Sequence, residues 1–199
     1  MLLLKALSMY RRFSPEKFEL FAIVIDTGLG ADFSPIEAFC KELDVPLVIK
    51  KTQIAQIVFD ERKEKNPCSL CANLKRGALH NAALELGSRK IALGHHADDL
   101  METFMLGLFY EGRLHTFKAV TELSRKEITV IRPFIYLYEK EIIYSVNKNN
   151  IPVVKSGCPA DGYTKREDMK SLLKNITSDI PDSGVRIFNA VKNFMDSQE

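Results

Sequence analysis

Lys90-Ile91-Ala92-Leu93-Gly94-His95-His96-Ala97-Asp98-Asp99 decides how this chain is read. A short strand, residues 90–93, runs into a glycine, two histidines and two aspartates, and a helix follows over 98–110. That helix is otherwise apolar: Leu100, Met101, Phe104, Met105, Leu108 and Phe109 leave little polar face. In open α/β sheets, ligands bind where strands end at their carboxyl side and helices begin. The helix gathers its polar residues at that end. Asp98 and Glu102 are four apart, Asp99 and Glu102 three, so the carboxylates share one side. Gly94 lets a ligand approach the backbone closely. An aspartate at a helix start commonly serves as its cap, which accounts for one acid but not for three with two histidines. Carboxylates hold Mg²⁺ and helix N-termini attract phosphate, so magnesium with a nucleotide phosphate is the natural ligand.

Outward from this stretch, helical and strand-like segments alternate. Residues 1–13 read as a helix with Leu3, Leu4 and Leu7 on one side. Phe21-Ala22-Ile23-Val24-Ile25 is a continuous apolar run ended by Asp26-Thr27-Gly28, the pattern of a strand buried on both faces. Ser34-Pro35-Ile36-Glu37 combines a capping box with proline at the first helical position and starts a helix to about Leu43. Residues 45–49 read as a second strand and 53–62 as a short helix. A helix follows Pro67, places Leu70, Leu74, Ala78 and Ala82 at fourfold spacing, and stops at Gly87. After the strand and helix quoted above, 129–134 is a fourth strand, and 139–148, 164–176 and 183–194 are helices. Residues 111–126 are the most loop-like stretch. The alternation implies an α/β fold, a parallel sheet with helices on both faces. At 199 residues the chain reads as a single domain with a helical C-terminal part from about 139 to 199.

Hydrophobic residues make up 46% and charged residues 27%, an ordinary globular balance, and the net charge of +2 argues against an extended basic surface. RNA contacts would have to come from local clusters such as Arg11-Arg12, Lys63-Glu64-Lys65, Lys75-Arg76 and Lys165-Arg166. No apolar run approaches the ~20 residues of a membrane span. The opening Met1-Leu2-Leu3-Leu4 lacks a basic leader and is interrupted by Lys5, so the expected compartment is the cytoplasm, with no membrane partner. Cysteines stay reduced there, which favours metal binding or catalysis over disulfides. Cys68-Ser69-Leu70-Cys71 follows Pro67 at a helix N-terminus, with both sulfurs on one face and the helix dipole lowering the thiol pKa. Such a pair fits a redox couple, half a zinc site or part of an iron–sulfur site. Cys158, in Ser156-Gly157-Cys158-Pro159, is a third candidate ligand, whereas Cys40 beside Phe39 and Leu43 reads as a buried inert thiol. A closed zinc site would need a fourth ligand such as His80 or His115.

Pro67-Cys68-Ser69-Leu70-Cys71, Leu74-Lys75-Arg76-Gly77, the 90–99 stretch and Val130-Ile131-Arg132-Pro133 resemble, in order, the tRNA 2-thiocytidine synthetase family of the PP-loop ATP pyrophosphatases. The similarity runs from about Met1 to Lys174. The histidine-aspartate loop alone would also fit the tRNA lysidine synthetases, which lack this cysteine pair. The resemblance implies an adenine nucleotide above a five-stranded parallel sheet of the adenine nucleotide alpha-hydrolase type. It also implies a 4Fe–4S cluster on Cys68, Cys71 and Cys158, which would be both metal ligands and catalytic residues. The implied reaction adenylates a cytidine carbonyl oxygen and then replaces that oxygen with sulfur carried by the cluster's fourth iron. Ile25 and Asp26 would contact the adenosine, and Gly94, His95, Asp98 and Asp99 would line the phosphate and Mg²⁺ side, with His96 and Arg132 as lesser candidates. The implied partners are tRNA, ATP and a sulfur donor, either a cysteine desulfurase or sulfide, with a homodimer as an option.

Two departures from the family pattern shape the expectations. The signature Ser-Gly-Gly-Lys-Asp-Ser loop and the strand before it do not occur in these residues. Amides of such a loop cradle phosphate, so the chain as written is expected to bind ATP poorly, to be inactive, and to leave sheet edges unpaired. The family's third-ligand loop reads Pro-Cys-Asn-Leu-Cys, and here it is Lys155-Ser156-Gly157-Cys158-Pro159, the cysteine displaced by about two residues. The leading expectation is therefore a tRNA sulfurtransferase dependent on ATP and an iron–sulfur cluster. The alternatives are a non-catalytic metal- and RNA-binding paralogue, or a PP-loop enzyme acting on another base.

Overall fold

Strand β1 (Ala22–Asp26) lies parallel to β2 (Leu47–Lys51), with Ala22 opposite Leu47 and Asp26 opposite Lys51. This is the first α/β step of a computed structural model that describes residues 1–63, 67–154 and 157–197. The chain divides into two units, Met1–Ile91 with Tyr144–Asp161, and Ala92–Ile143 with Gly162–Glu199.

In the first unit, α1 (Leu2–Arg11) precedes β1, and α2 (Ser34–Glu42) connects β1 to β2. The apolar run of β1 is half-buried along its whole length rather than sealed on both faces. The strand β2 starts two residues later than the sequence suggests, because Val45 is already 5% exposed core at the turn before it. The capping box expected at Ser34 is not formed. The helix begins one residue early, behind Phe33, so Ser34 lies inside it and donates its hydroxyl and amide to Asp32 at 3.0 and 2.9 Å. The short helix expected over 53–62 is wound as a π-helix across Gln56–Glu61, a form rare enough to mark local strain or function. Helix α3 (Pro67–Glu85) packs against β1 and buries His80, Ala82 and Ala83, while Leu70, Leu74 and Ala78 are half-buried.

Strand β3 (Lys90–Ala92) carries the chain to the boundary of the units, and Leu93 just beyond it donates its amide to Ile131 O at 2.9 Å. In the second unit, β4 (Val120–Leu123) pairs antiparallel with β5 (Ile128–Ile131), and β5 is the middle strand of the order β3-β5-β4. This strand β4 lies in the segment expected to be a loop. Only every second residue of it is half-buried, so its four residues present no apolar run. The described strands thus form a parallel pair and a three-stranded sheet with an antiparallel edge, within an α/β fold. The long helix α4 (Ala97–Glu111) packs on α6 (Lys165–Asp179) and α7 (Ser183–Asp196). Their core is Ala97, Leu100, Met101 and Met105 against Met169, Leu173, Phe188 and Val191. Helix α5 (Glu139–Lys148) runs across the division, and none of its residues is fully buried. Among the described residues, no helix is long and apolar enough to cross a membrane.

Candidate functional site

Two clusters of chemistry-bearing side chains emerge, one in each unit. In the first, Pro67 opens α3, as its fixed φ and missing amide favour, and Cys68 and Cys71 fall three residues apart in the opening turns. Cys68 is exposed, and Cys71 and Cys158 are half-buried; all four cysteines are thiols rather than disulfides. Burial pushes the Cys71 thiol above its ordinary value. Lys75 one turn along opposes this, and the charges of Cys158 and Cys68 push it further up. The charge of Cys158 thus acts on Cys71 of α3. The lowering expected from the helix dipole is outweighed at Cys71, because burial and two neighbouring sulfurs act together.

The approach of Cys158 rests on its neighbour. A Cβ on Gly157 would stand 3.0 Å from Leu29 O, so this backbone passes tightly against the loop that follows β1. Lys155 and Ser156, also part of the third-ligand loop, lie outside the described residues, as do Glu64 and Lys65 of one basic cluster. Cys40 is 1% exposed on α2, and burial raises its thiol. His80 sits nine residues beyond Cys71, about 14 Å along the helix axis at the α-helical rise, and His115 is exposed in the other unit. His80 therefore lies too far along α3 to complete a zinc site with this pair. Cysteine sulfurs are the soft donors that an iron–sulfur cluster takes. Among the described residues, no three His, Cys, Asp or Glu side chains are gathered as ligands of a single metal ion.

At the end of β1, Asp26 Oδ1 accepts the Gly28 amide at 2.9 Å, and Gly28 is held at φ 86°, a conformation that favours glycine. Asp26 O accepts both the amide and the hydroxyl of Thr52, at 2.9 and 2.8 Å. The end of β1, which carries Ile25 and Asp26, is thus latched to the residue after β2.

In the second unit, α4 is capped by His96 rather than by an aspartate. His96 Nδ1 accepts the Asp99 amide at 3.4 Å, and Asp99 Oδ2 accepts the His96 amide at 3.0 Å, a reciprocal box. The same Nδ1 lies 3.5 Å from Asp98 Oδ2. It cannot accept one proton and donate another, so the cap belongs to the neutral ring and the Asp98 pair to the protonated one. Burial opposes protonation of His96, but the Asp98 bond and the nearby carboxylates outweigh it and hold the pKa above the ordinary value. Asp98 is held low. Burial alone would raise it, but bonds from His96 and the Glu139 amide, the latter at 2.6 Å, prevail.

Glu102 is 4% exposed, and burial pushes its carboxyl up although Arg166 opposes this. Arg166, from the first turn of α6, places Nη1 3.1 Å from both Asp99 Oδ1 and Glu102 Oε2, and Nη2 3.2 Å from Thr103 Oγ1. Each acid of the cluster therefore has a protein partner. As arranged, Asp99 and Glu102 share an arginine as their compensating charge, and Asp98 accepts the Glu139 amide. Arg166 is the residue the sequence reading missed, since Lys165-Arg166 reads as a solvated RNA-contact cluster. Its neighbour Lys165 stands 3.8 Å over the Tyr110 ring. A basic residue at the start of a polar helix carries no signal that distinguishes the two roles.

Beside the cap, the His95 ring packs on Phe117 at 4.9 Å and the Arg132 guanidinium sits over the same ring at 4.8 Å. Arg132 Nη1 donates to Lys118 O and Thr121 Oγ1, pinning β4. Among the described residues, two side-chain atoms are buried without a hydrogen-bond partner, His95 Nδ1 and Arg132 Nε. Burial lowers the His95 pKa and the nearby Arg132 adds to this, so the ring is neutral. Orphaned polar nitrogens of this kind point to a polar ligand, and Gly94 beside them is exposed.

A model of the PP-loop domain family matches residues 1–172. The chain is similar to a tRNA-cytidine(32) 2-sulfurtransferase of Pelobacter propionicus, 37% identical over 195 residues, covering 96% of this chain and 72% of that protein. It is likewise similar to a tRNA-cytidine(32) 2-sulfurtransferase of Geobacter sulfurreducens, 38% identical over 183 residues, 90% of this chain and 71% of the other. In structure it resembles the U34-tRNA thiolase NcsA from Methanococcus maripaludis with its 4Fe-4S cluster. The TM-score is 0.74 at 23% identity, over 98% of this chain and 67% of that one, a likeness of fold.

Proposed function

We propose, from the premise that this chain belongs to the PP-loop family and within it to the tRNA-cytidine(32) 2-sulfurtransferases, that it takes part in ATP-dependent thiolation of a tRNA cytidine on an iron–sulfur cluster. The observation that carries this reading is the match of the chain to the PP-loop family and to the cytidine sulfurtransferases, with Cys68 and Cys71 paired at the start of α3. The cytidine C2 carbonyl oxygen attacks the α-phosphate of ATP and pyrophosphate leaves. Sulfide then attacks C2, and AMP departs with the oxygen. Cys68, Cys71 and Cys158 hold the 4Fe–4S cluster, which when bound supplies an iron without a protein ligand to carry the sulfide. The donor is sulfide or a cysteine desulfurase.

The remaining roles fall to the chain's own side chains. Ile25 and Asp26, at the latched end of β1, meet the adenosine. Gly94 leaves room for the phosphate, and the unpartnered nitrogens of His95 and Arg132 receive its oxygens. Neutral His95 donates or accepts without adding charge, while Arg132 contributes the cation. Asp98 and Asp99 fix the phosphate side by accepting the Glu139 and His96 amides, and their remaining lone pairs are offered to Mg²⁺. The chain works in the cytoplasm, where its thiols stay reduced.

Deleting the gene in its host and measuring tRNA nucleosides by mass spectrometry tests the assignment. The expected result is loss of 2-thiocytidine with other thionucleosides unchanged. Intact 2-thiocytidine with another thionucleoside missing would move the activity to a different base, and an unchanged profile would leave the non-catalytic reading standing.

A further inference from the structure

Glu102 is a carboxylate at 6% side-chain exposure inside an apolar helix, and Asp99 lies three residues away on the same face. Two like charges at that spacing repel, and one of them is largely out of water, where an uncompensated charge is costly. A single guanidinium answers both. Nη1 of Arg166 bridges the two carboxylates at 3.1 Å each, and Nη2 reaches the Thr103 hydroxyl at 3.2 Å. Three consecutive polar positions of α4 are thereby tied to α6, whose own start is fixed by Thr164 accepting the Glu167 amide. The bond to Asp99 has a second consequence. Asp99 Oδ2 is the acceptor of the His96 amide, so the arginine that fixes one oxygen of Asp99 orients the other toward the residue preceding the helix. Arg166 itself keeps 41% of its side chain exposed, so it touches the loop from outside rather than lying beneath it.

We infer that Arg166 is a positioning residue, whose bridge across Asp99, Glu102 and Thr103 holds the His95-His96 loop in the shape that meets the nucleotide. The nucleotide part of this inference rests on the function proposed above; the geometric part does not. Lysine cannot replace it. An ammonium is a point charge without the planar fork that reaches two carboxylates and a hydroxyl at once.

The test separates neutralising Glu102 from shaping the loop. Arg166→Gln leaves a buried carboxylate without its cation and should lower the melting temperature by roughly 5 °C. The double variant Glu102→Gln/Arg166→Gln removes both charges and should recover the melting temperature. In the double variant and in Arg166→Lys, AMP affinity should remain weakened ~10-fold or more, because the loop is no longer aimed. The His96 ring resonances should also stay displaced from their wild-type NMR positions. If the double variant recovers those resonances, Arg166 only neutralises charge and the inference fails, whatever AMP does. If wild type binds no AMP while the resonances still move, the positioning stands and the nucleotide reading of the site fails instead.

Discussion

The two clusters solve the same problem in opposite ways. At the start of α4, three carboxylates crowd together, and the chain itself provides the balancing charge through Arg166, His96 and the Glu139 amide. At the start of α3, burial and two neighbouring sulfurs all disfavour the Cys71 thiolate, with only Lys75 opposing them. An acid cluster balanced from within is a finished piece of scaffold. A thiol raised by burial and by its neighbours' charges favours a bound cationic centre, since coordination by iron removes the repulsion and releases the proton. The acid cluster has its partners within the chain, and the thiols have only Lys75.

The largest effect is expected where this contrast is sharpest. Cys158→Ala should abolish cluster assembly on anaerobic reconstitution with iron and sulfide, read as loss of the brown absorbance, whereas Cys40→Ala should keep it. Equal iron content in the two variants would remove Cys158 from the ligand set. Gly157→Ala makes a milder break. Its new Cβ would stand 3.0 Å from Leu29 O, and accommodating such an overlap costs about 1–3 kcal/mol. Iron content should fall without vanishing, and unchanged iron with unchanged stability would show that the Cys158 backbone is not fixed by this contact.

Smallest is the pH dependence of the acid cluster. His96 holds its proton above the ordinary value of 6.5, so its pairing with Asp98 contributes stability that is fully present below pH 6.5 and is lost as pH rises through the raised value. His95 has the opposite sign. It is buried neutral with a lowered pKa, so acidification below 6.5 protonates the unfolded chain first and destabilises the fold. His96→Asn keeps a capping side chain and removes the charge. Denaturant titrations should find it less stable than wild type by under ~1 kcal/mol below pH 6.5 and equal to it at higher pH. A deficit that grows with pH would contradict the assignment of the proton to His96.

How much of this was legible in the sequence follows from the range of each signal. The apolar run of residues 21–25 and the helical spacing after Leu100 are local patterns, and β1 and α4 follow from them. Strand β4 was hidden because four residues with alternating exposure make no apolar run, and its pairing with β5 is pinned from outside by Arg132. The cap of α4 was legible as a cluster but not as a mechanism, since an aspartate is the commoner cap and here it reciprocates to a histidine. Arg166 was out of reach. It lies 64 residues from Glu102 in the chain, and pairings of that separation leave no mark in local spacing. The cysteine trio was suggested by chemistry and by family resemblance, and only the folded chain relates Cys158 to the pair on α3.

The most direct measurement is Mössbauer spectroscopy of the anaerobically reconstituted, iron-57-labelled chain, with and without added sulfide. Three protein thiolates predict a four-iron cluster in which a single iron site changes when sulfide is supplied. Stoichiometric zinc in place of iron, or a cluster whose irons all ignore sulfide, would mean that no coordination position stands open for the sulfur that the tRNA is to receive.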